Sequence, residues 1–173
     1  MRVGITGTPG VGKSTILNSF DTKLKKIHLF DWAREFYHSS NEEIEVCIDD
    51  MTSYFSGYDD VIFEGHLAHY LPLDKVIVLR CDPLLLKERY ALRKYSNKKT
   101  LDNLECEALD LILIESINIH GKEKIYEYDT TKKTVKEACD YIQSVIEGKA
   151  KPQVGIVDRS EYILTLDGHD LVE

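Results

Sequence analysis

Short apolar runs alternate with stretches of helical periodicity along most of the chain. Val3–Thr6 reads as a strand that runs into a glycine-rich loop, and Lys13–Phe20 as the helix that follows it. Lys26–Phe30 reads as a weaker strand, Asp31–Tyr37 as helical, and Glu42–Phe55 as a further helix. VIFE (Val61–Glu64), KVIVLR (Lys75–Arg80) and Lys124–Asp129 complete the strands. Asp82-Pro83 is a helix start, with Asp at the N-cap and Pro at the first helical position. That helix is expected to reach about Lys94. A second, from about Lys98 to Ile117, is apolar enough in ALDLILIESI to predict burial. Thr134 with Glu137 spells a capping box, and the helix it opens sets Val135, Ala138, Ile142, Val145 and Ile146 on one face before Gly148 stops it.

Strands alternating with helices predict an α/β domain over residues 1–150, with a parallel sheet covered on both faces. From about Ala150 the pattern changes. Residues 151–173 read as an appendage with a Pro break and a short strand at Tyr162–Leu166, packed on the domain or meeting a partner.

The 173 residues suffice for one domain, and 43% hydrophobic with 30% charged residues is ordinary globular composition. No apolar run approaches the ~20 residues that span a bilayer, and the N-terminus reads as strand and turn, not as a signal peptide. The expected location is the cytoplasm. Cys47, Cys81, Cys106 and Cys139 are scattered without a CxxC pair, which predicts buried free thiols. A net charge of −8 argues against broad nucleic-acid binding. That average hides two blocks: seven acidic and no basic residues from Asn41 to Asp60, and six basic against one acidic from Lys87 to Lys99. The basic block is either a solvated helix face or a grip on an anionic ligand.

Independently of that block, Gly7-Thr8-Pro9-Gly10-Val11-Gly12-Lys13-Ser14 points to a bound phosphate. It fits G-x-x-x-x-G-K-[ST] in full, between an apolar strand and a helix. Its glycines let successive N–H groups turn inward on phosphate oxygens, where the helix dipole also points. Lys13 adds a charge for the β- and γ-phosphates, and the Ser14 hydroxyl is a ligand for Mg²⁺. Such loops pair with a carboxylate at the end of a neighbouring strand. Glu64, ending VIFE, fits that role, with helix capping or ion pairing as the alternative. His66, two residues on, is a candidate to orient a water or touch a phosphate. His69 makes an H-x-x-H spacing without a third ligand and reads as a packing residue.

A switch GTPase is disfavoured, because N-K-x-D is absent and EGH stands where D-x-x-G belongs. Phosphotransfer between nucleotides needs cations bridging two phosphates, a second pocket and a cover against water. Arg89 and Arg93 lie four apart on one helix face, next to a polar hinge (Lys94–Thr100) that looks like a lid. Arg34, in DWARE, follows the second strand, where an acceptor phosphate is gripped or where a surface arginine stands.

In order along about 140 residues, GTPGVGKST (7–15), DWARE (31–35), FEGH (63–66), VIVLRCDP (76–83), LKERYALRKYS (86–96), NLECEALD (103–110) and DTT (129–131) give the chain its resemblance to the adenylate kinase isoenzyme 6 family. These are small, atypical adenylate kinases with a role in small-ribosomal-subunit maturation. The resemblance implies a P-loop NTPase core of five parallel strands, adenylate kinase-like, with an acceptor (NMP-binding) segment over about residues 28–51 and a short lid over about 92–102. It implies ATP on Gly10, Gly12, Lys13, Ser14 and Thr15, contacted by Arg93, with Lys132 in the loop near adenine. It puts AMP against Arg34, and Mg²⁺ at Ser14 and Glu64. Lys13, His66, Arg89 and Arg93 are the implied catalytic set, with His66 tied to ATP hydrolysis through Glu64-Gly65-His66. The partners implied are ATP, AMP, a small-subunit ribosomal protein and the immature small ribosomal subunit. Three readings follow: an adenylate kinase (ATP + AMP to 2 ADP) that also hydrolyses ATP, a nucleotide-gated assembly ATPase, and a kinase of another small metabolite. Two departures stand out: HSSNEEIEV replaces the family's usual acceptor turn, and Lys94 occupies a position where Gly is common.

Overall fold

Five apolar segments form one all-parallel sheet in a computed structural model that describes residues 1–39 and 44–163. The strands are β1 (Arg2–Thr6), β2 (Lys25–His28), β3 (Val61–Glu64), β4 (Lys75–Arg80) and β5 (Ile125–Asp129), in the order β2-β3-β1-β4-β5. Alternation along each strand divides the interior in two. Val3, Ile5, Ile62, Ile77 and Leu79 face one core, closed by α1 (Lys13–Ser19), α4 (Pro83–Leu92) and α7 (Val135–Ile146). Val61, Phe63, Val76 and Val78 face the other, under α2 (Leu29–Phe36), α3 (Ile48–Tyr54) and α6 (Leu111–His120). A sheet buried on both faces explains why its strands read as near-continuous apolar runs.

The helix signals act as their chemistry dictates. Asp82 accepts from the Leu84 N–H at 2.8 Å, and Thr134 and Glu137 close the capping box on α7. Ala138, Ile142 and Val145 are buried, whereas Val135 stays exposed in the first turn.

Several expectations are corrected. β2 stops at His28, and Leu29 and Phe30 form the first turn of α2, because Leu29 is needed in the core beneath that helix. The helix expected from Glu42 begins only at Ile48, with residues 44–47 irregular and 40–43 outside the described set. The long helix to Ile117 is two: α5 (Asn97–Ala108) and α6, separated at Asp110, whose φ of +57° leaves the helical region. That turn rotates α6, so Ile112, Leu113 and Ser116 go inward while Leu111 and Ile114 face solvent, against the expected burial. Cys81 is buried, but Cys47 is exposed and Cys106 and Cys139 are only partly covered. Beyond Ala150 the chain follows the free edge of β5: Gln153 donates to Ile125 O at 2.9 Å and accepts from the Glu127 N–H at 3.0 Å. Residues 160–163 are helical, so Tyr162 and Ile163 do not begin a strand; the rest of that expected strand lies outside the described residues. Among the described residues, no helix is long and apolar enough to cross a membrane.

Candidate active site

The carboxyl ends of β1, β3 and β2 bring polar groups together at one edge of the core. Register does the placing: Ile5 pairs with Glu64, and His28 pairs with Glu64 from the other side. The loop after Thr6 therefore lies beside the end of VIFE, with a histidine on the next strand. A crevice outside the strand ends is where open α/β sheets bind ligands. Here it is a cleft of about 940 Å³.

The loop's shape needs its glycines, and two of them show why. Gly7 has φ +137°, and a Cβ there would lie 2.3 Å from the backbone oxygen of Leu79. Gly10 has φ +90°, and a Cβ would come within 2.9 Å of the Tyr90 ring. That ring is fully buried, stacked on Tyr95 at 5.2 Å between centroids, and its hydroxyl donates to Pro9 O. Arg89 steadies the same turn, donating to Gly10 O at 2.7 Å. Beneath the loop, Glu107 accepts from Thr8 Oγ1 at 2.5 Å, from Arg80 Nε at 2.8 Å and from the Cys81 N–H at 3.1 Å. Arg80 also donates to Glu127 at 2.8 Å and to Asp110. A buried guanidinium thus joins β4, β5 and α5, and Glu107 extends that network to the loop.

Lys13 is buried, with Nζ donating to Gly7 O at 2.8 Å and Thr8 O at 3.0 Å. Burial pulls its ammonium down to about 8, only partly offset by the charges of Glu64 and Glu107. Ser14 Oγ donates to Glu64 Oε1 at 3.1 Å, and His28 Nδ1 lies 2.7 Å from Glu64 Oε2. A hydroxyl and one carboxylate beside the glycine loop suit Mg²⁺, which takes few protein ligands and fills its sphere with phosphate oxygens and water. The donor set therefore fits that ion.

His66 lines the cleft beside Glu64. Crowding by the cleft walls and the nearby Lys13 charge hold its imidazole below the ordinary histidine range. The ring remains open to solvent, which damps that shift without reversing it. His66 is accordingly neutral at pH 7. His69 is a satisfied core histidine, with Nδ1 3.2 Å from Thr6 Oγ1 and Nε2 3.0 Å from Glu115.

The other expected residues divide. Gly10, Gly12, Lys13, Ser14, Thr15, Glu64, His66 and Arg93 all line the one cleft. Arg89 does not join Arg93 on its wall, since it is turned to Gly10 O. Arg34 is exposed at the end of α2 with its guanidinium 5.9 Å from the Phe30 ring, and Lys132 is exposed in the turn after β5. Neither lines the cleft. Sequence reasoning missed His28 as the partner of Glu64, and the cleft positions of Lys98, Lys99 and Glu115. The lysines were visible as part of a basic block and of the expected lid, without a cleft role of their own, and Glu115 lies inside an apolar run.

The cleft also has apolar lining, from Leu29, Phe30, Trp32, Val46 and Met51 around α2 and α3. Cationic and apolar groups in one cavity suit a phosphate-bearing ligand with a planar or hydrophobic part.

The chain matches known proteins by both sequence and fold. Residues 3–110 match the family model described as an AAA domain. A protein of Natronomonas pharaonis named "Putative adenylate kinase" is 40% identical over 168 residues, covering 94% of this chain and all of that protein. One of the same name from Pyrococcus abyssi is 42% identical over 169 residues, covering 93% of this chain and 92% of the relative. In fold, a shikimate kinase of Bacteroides thetaiotaomicron superposes with a TM-score of 0.53 at 15% identity, over 85% of this chain and 98% of that one. The chain belongs to this AAA-domain P-loop family and groups with its archaeal members named as adenylate kinases.

Proposed function

We propose that the protein is a Mg²⁺-dependent nucleoside monophosphate kinase that converts ATP and AMP to two ADP. One observation carries the reading: the cleft that holds Lys13, Ser14 and Glu64 is lined as well by apolar residues from around α2 and α3. A donor triphosphate on the loop and an acceptor nucleotide against those residues would share one cavity.

An oxygen of the AMP phosphate would attack the γ-phosphorus as the bond from that phosphorus to the β–γ bridging oxygen breaks, and ADP leaves with the bridging oxygen. No covalent enzyme intermediate is needed, because positioning and charge stabilisation suffice. Ser14 and Glu64 would hold Mg²⁺, which would supply neutralisation of phosphate charge. Lys13 and Arg93 offset charge on the transferring group. Arg89 acts through the loop by holding Gly10 O. Arg34, at the outer end of α2, grips the acceptor phosphate when that segment closes, and residues 92–102, with Lys98 and Lys99, cover the donor. Lys132 borders the adenine.

The resemblance adds ATP hydrolysis and small-ribosomal-subunit maturation with a small-subunit ribosomal protein as partner. What supports hydrolysis is the neutral His66 next to Glu64, able to orient a water. The test is a split between activities. Glu64→Gln should lower phosphotransfer at least tenfold and abolish its gain from Mg²⁺. His66→Ala should lower hydrolysis more than transfer. Equal loss of both in His66→Ala would sink its separate role, and full Mg²⁺-dependent transfer by Glu64→Gln would sink the metal assignment.

A further inference from the structure

Glu64 presents two oxygens, and the structure gives them different partners. Oε1 accepts from Ser14 Oγ at 3.1 Å, and Oε2 lies 2.7 Å from His28 Nδ1. The side chain of Glu64 is 7% exposed, so these contacts set its orientation. His28 is the last residue of β2 and the residue from which α2 springs. At the start of a helix a Ser, Thr, Asp or Asn side chain ordinarily caps the free N–H groups. His28 makes no such bond: its ring is turned away to the carboxylate. Register locks the choice, because His28 and Glu64 are paired neighbours on adjacent parallel strands.

We infer that His28 is a positioning residue for the metal site. By fixing Oε2 it holds the Glu64 carboxylate with Oε1 on Ser14, so the two oxygen donors for Mg²⁺ are set before the ion arrives. This deepens the reading of the cleft as a Mg²⁺-nucleotide site and rests on it. The chemical reason is general: groups that hydrogen-bond a ligating side chain from behind fix its orientation, and removing them typically lowers metal affinity about 10–100-fold. Because β2 passes directly into α2 at His28, the same contact ties the metal site to the base of the acceptor segment. A shift of α2 on acceptor binding would be felt at Glu64 through this one ring.

The inference separates metal binding from nucleotide binding, and calorimetry can read both. ATP is titrated into the wild-type protein, His28→Ala and His28→Asn, once with Mg²⁺ and once with EDTA. Wild type should bind ATP more tightly with Mg²⁺. His28→Ala should lose about tenfold of that gain while its affinity in EDTA is unchanged. His28→Asn, whose amide can donate from nearly the same place as Nδ1, should restore most of it. Thermal melts of each variant identify a loss due to unfolding, and His28→Asn keeps the test open if His28→Ala fails to fold. An unaltered Mg²⁺ gain in both variants, or equal loss with and without Mg²⁺, would overturn the inference. A wild-type protein that binds ATP without any gain from Mg²⁺ would overturn the metal site itself and this inference with it.

Discussion

Glu107→Ala tests whether the buried network under the loop supports both the fold and the site. Glu107 is 2% exposed and accepts from Thr8, Arg80 and Cys81. Removing it takes one carboxylate from Arg80, itself 2% exposed, and leaves the Thr8 hydroxyl and the Cys81 N–H without their acceptor. Breaking a buried ion pair from one side costs about 3–5 kcal/mol. Arg80 keeps Glu127 and Asp110, which argues for the lower half of that range, whereas the two orphaned donors push upward. A net loss of about 4 kcal/mol is a large share of the ~5–15 kcal/mol that holds a domain of this kind together. At roughly 2–4 °C per kcal/mol for this chain length, the melting midpoint should fall by roughly 8–16 °C. Urea unfolding followed by circular dichroism reads the free energy, and Glu107→Gln, which keeps shape and an acceptor for Thr8, should lie between. A loss below about 1 kcal/mol for Glu107→Ala would show that the network is only peripheral to stability.

Three further outcomes follow from local geometry. Gly10→Ala meets a buried ring at 2.9 Å and a φ of +90°, so ATP affinity should drop at least about tenfold (~1.4 kcal/mol) by calorimetry, with a smaller loss in melting temperature. Lys13 titrates near 8 in the free protein because burial disfavours its charge, while bound phosphates favour it. Nucleotide binding should therefore take up a proton above pH 8, and ATP affinity should weaken with rising pH by up to about tenfold per unit, which calorimetry in buffers of different ionisation enthalpy will detect. Lys94 sits at φ +57° just after α4, where the Tyr95 N–H reaches Tyr90 O and the Lys94 N–H reaches Ala91 O, a glycine-type helix end occupied by lysine. Lys94→Gly should raise stability by about 0.5–1 kcal/mol, the left-handed strain relieved less the entropy that glycine adds to the unfolded chain; a drop in the urea midpoint would contradict it.

The strands and the loop were legible because their signals are local. A parallel sheet covered on both faces needs uninterrupted apolar runs, and the loop motif lies within eight residues, Gly7 to Ser14. Helix ends with side-chain caps, at Asp82 and Thr134, were equally readable. What stayed hidden is tertiary. Asp110 breaks the long helix without a Gly or Pro to announce it, since a short polar side chain tolerates the left-handed region. The β2–α2 boundary was misplaced because Leu29 and Phe30 serve a strand pattern as well as they serve the first turn of a helix. Glu64 was readable from the motif, but His28 lies 36 residues away, and only the pairing of β2 with β3 brings them together. Helical spacing puts Arg89 and Arg93 on one face, yet it cannot show that Arg89 is held by Gly10 O.

The central claim is tested most directly by measuring ADP formation from ATP and Mg²⁺ by the purified protein, with and without AMP. The account predicts a rate that rises steeply with AMP, yields two ADP for each ATP consumed, and disappears in Lys13→Ala. Slow hydrolysis indifferent to AMP, giving one ADP and one phosphate per ATP, would contradict it and leave an ATPase built on the same loop.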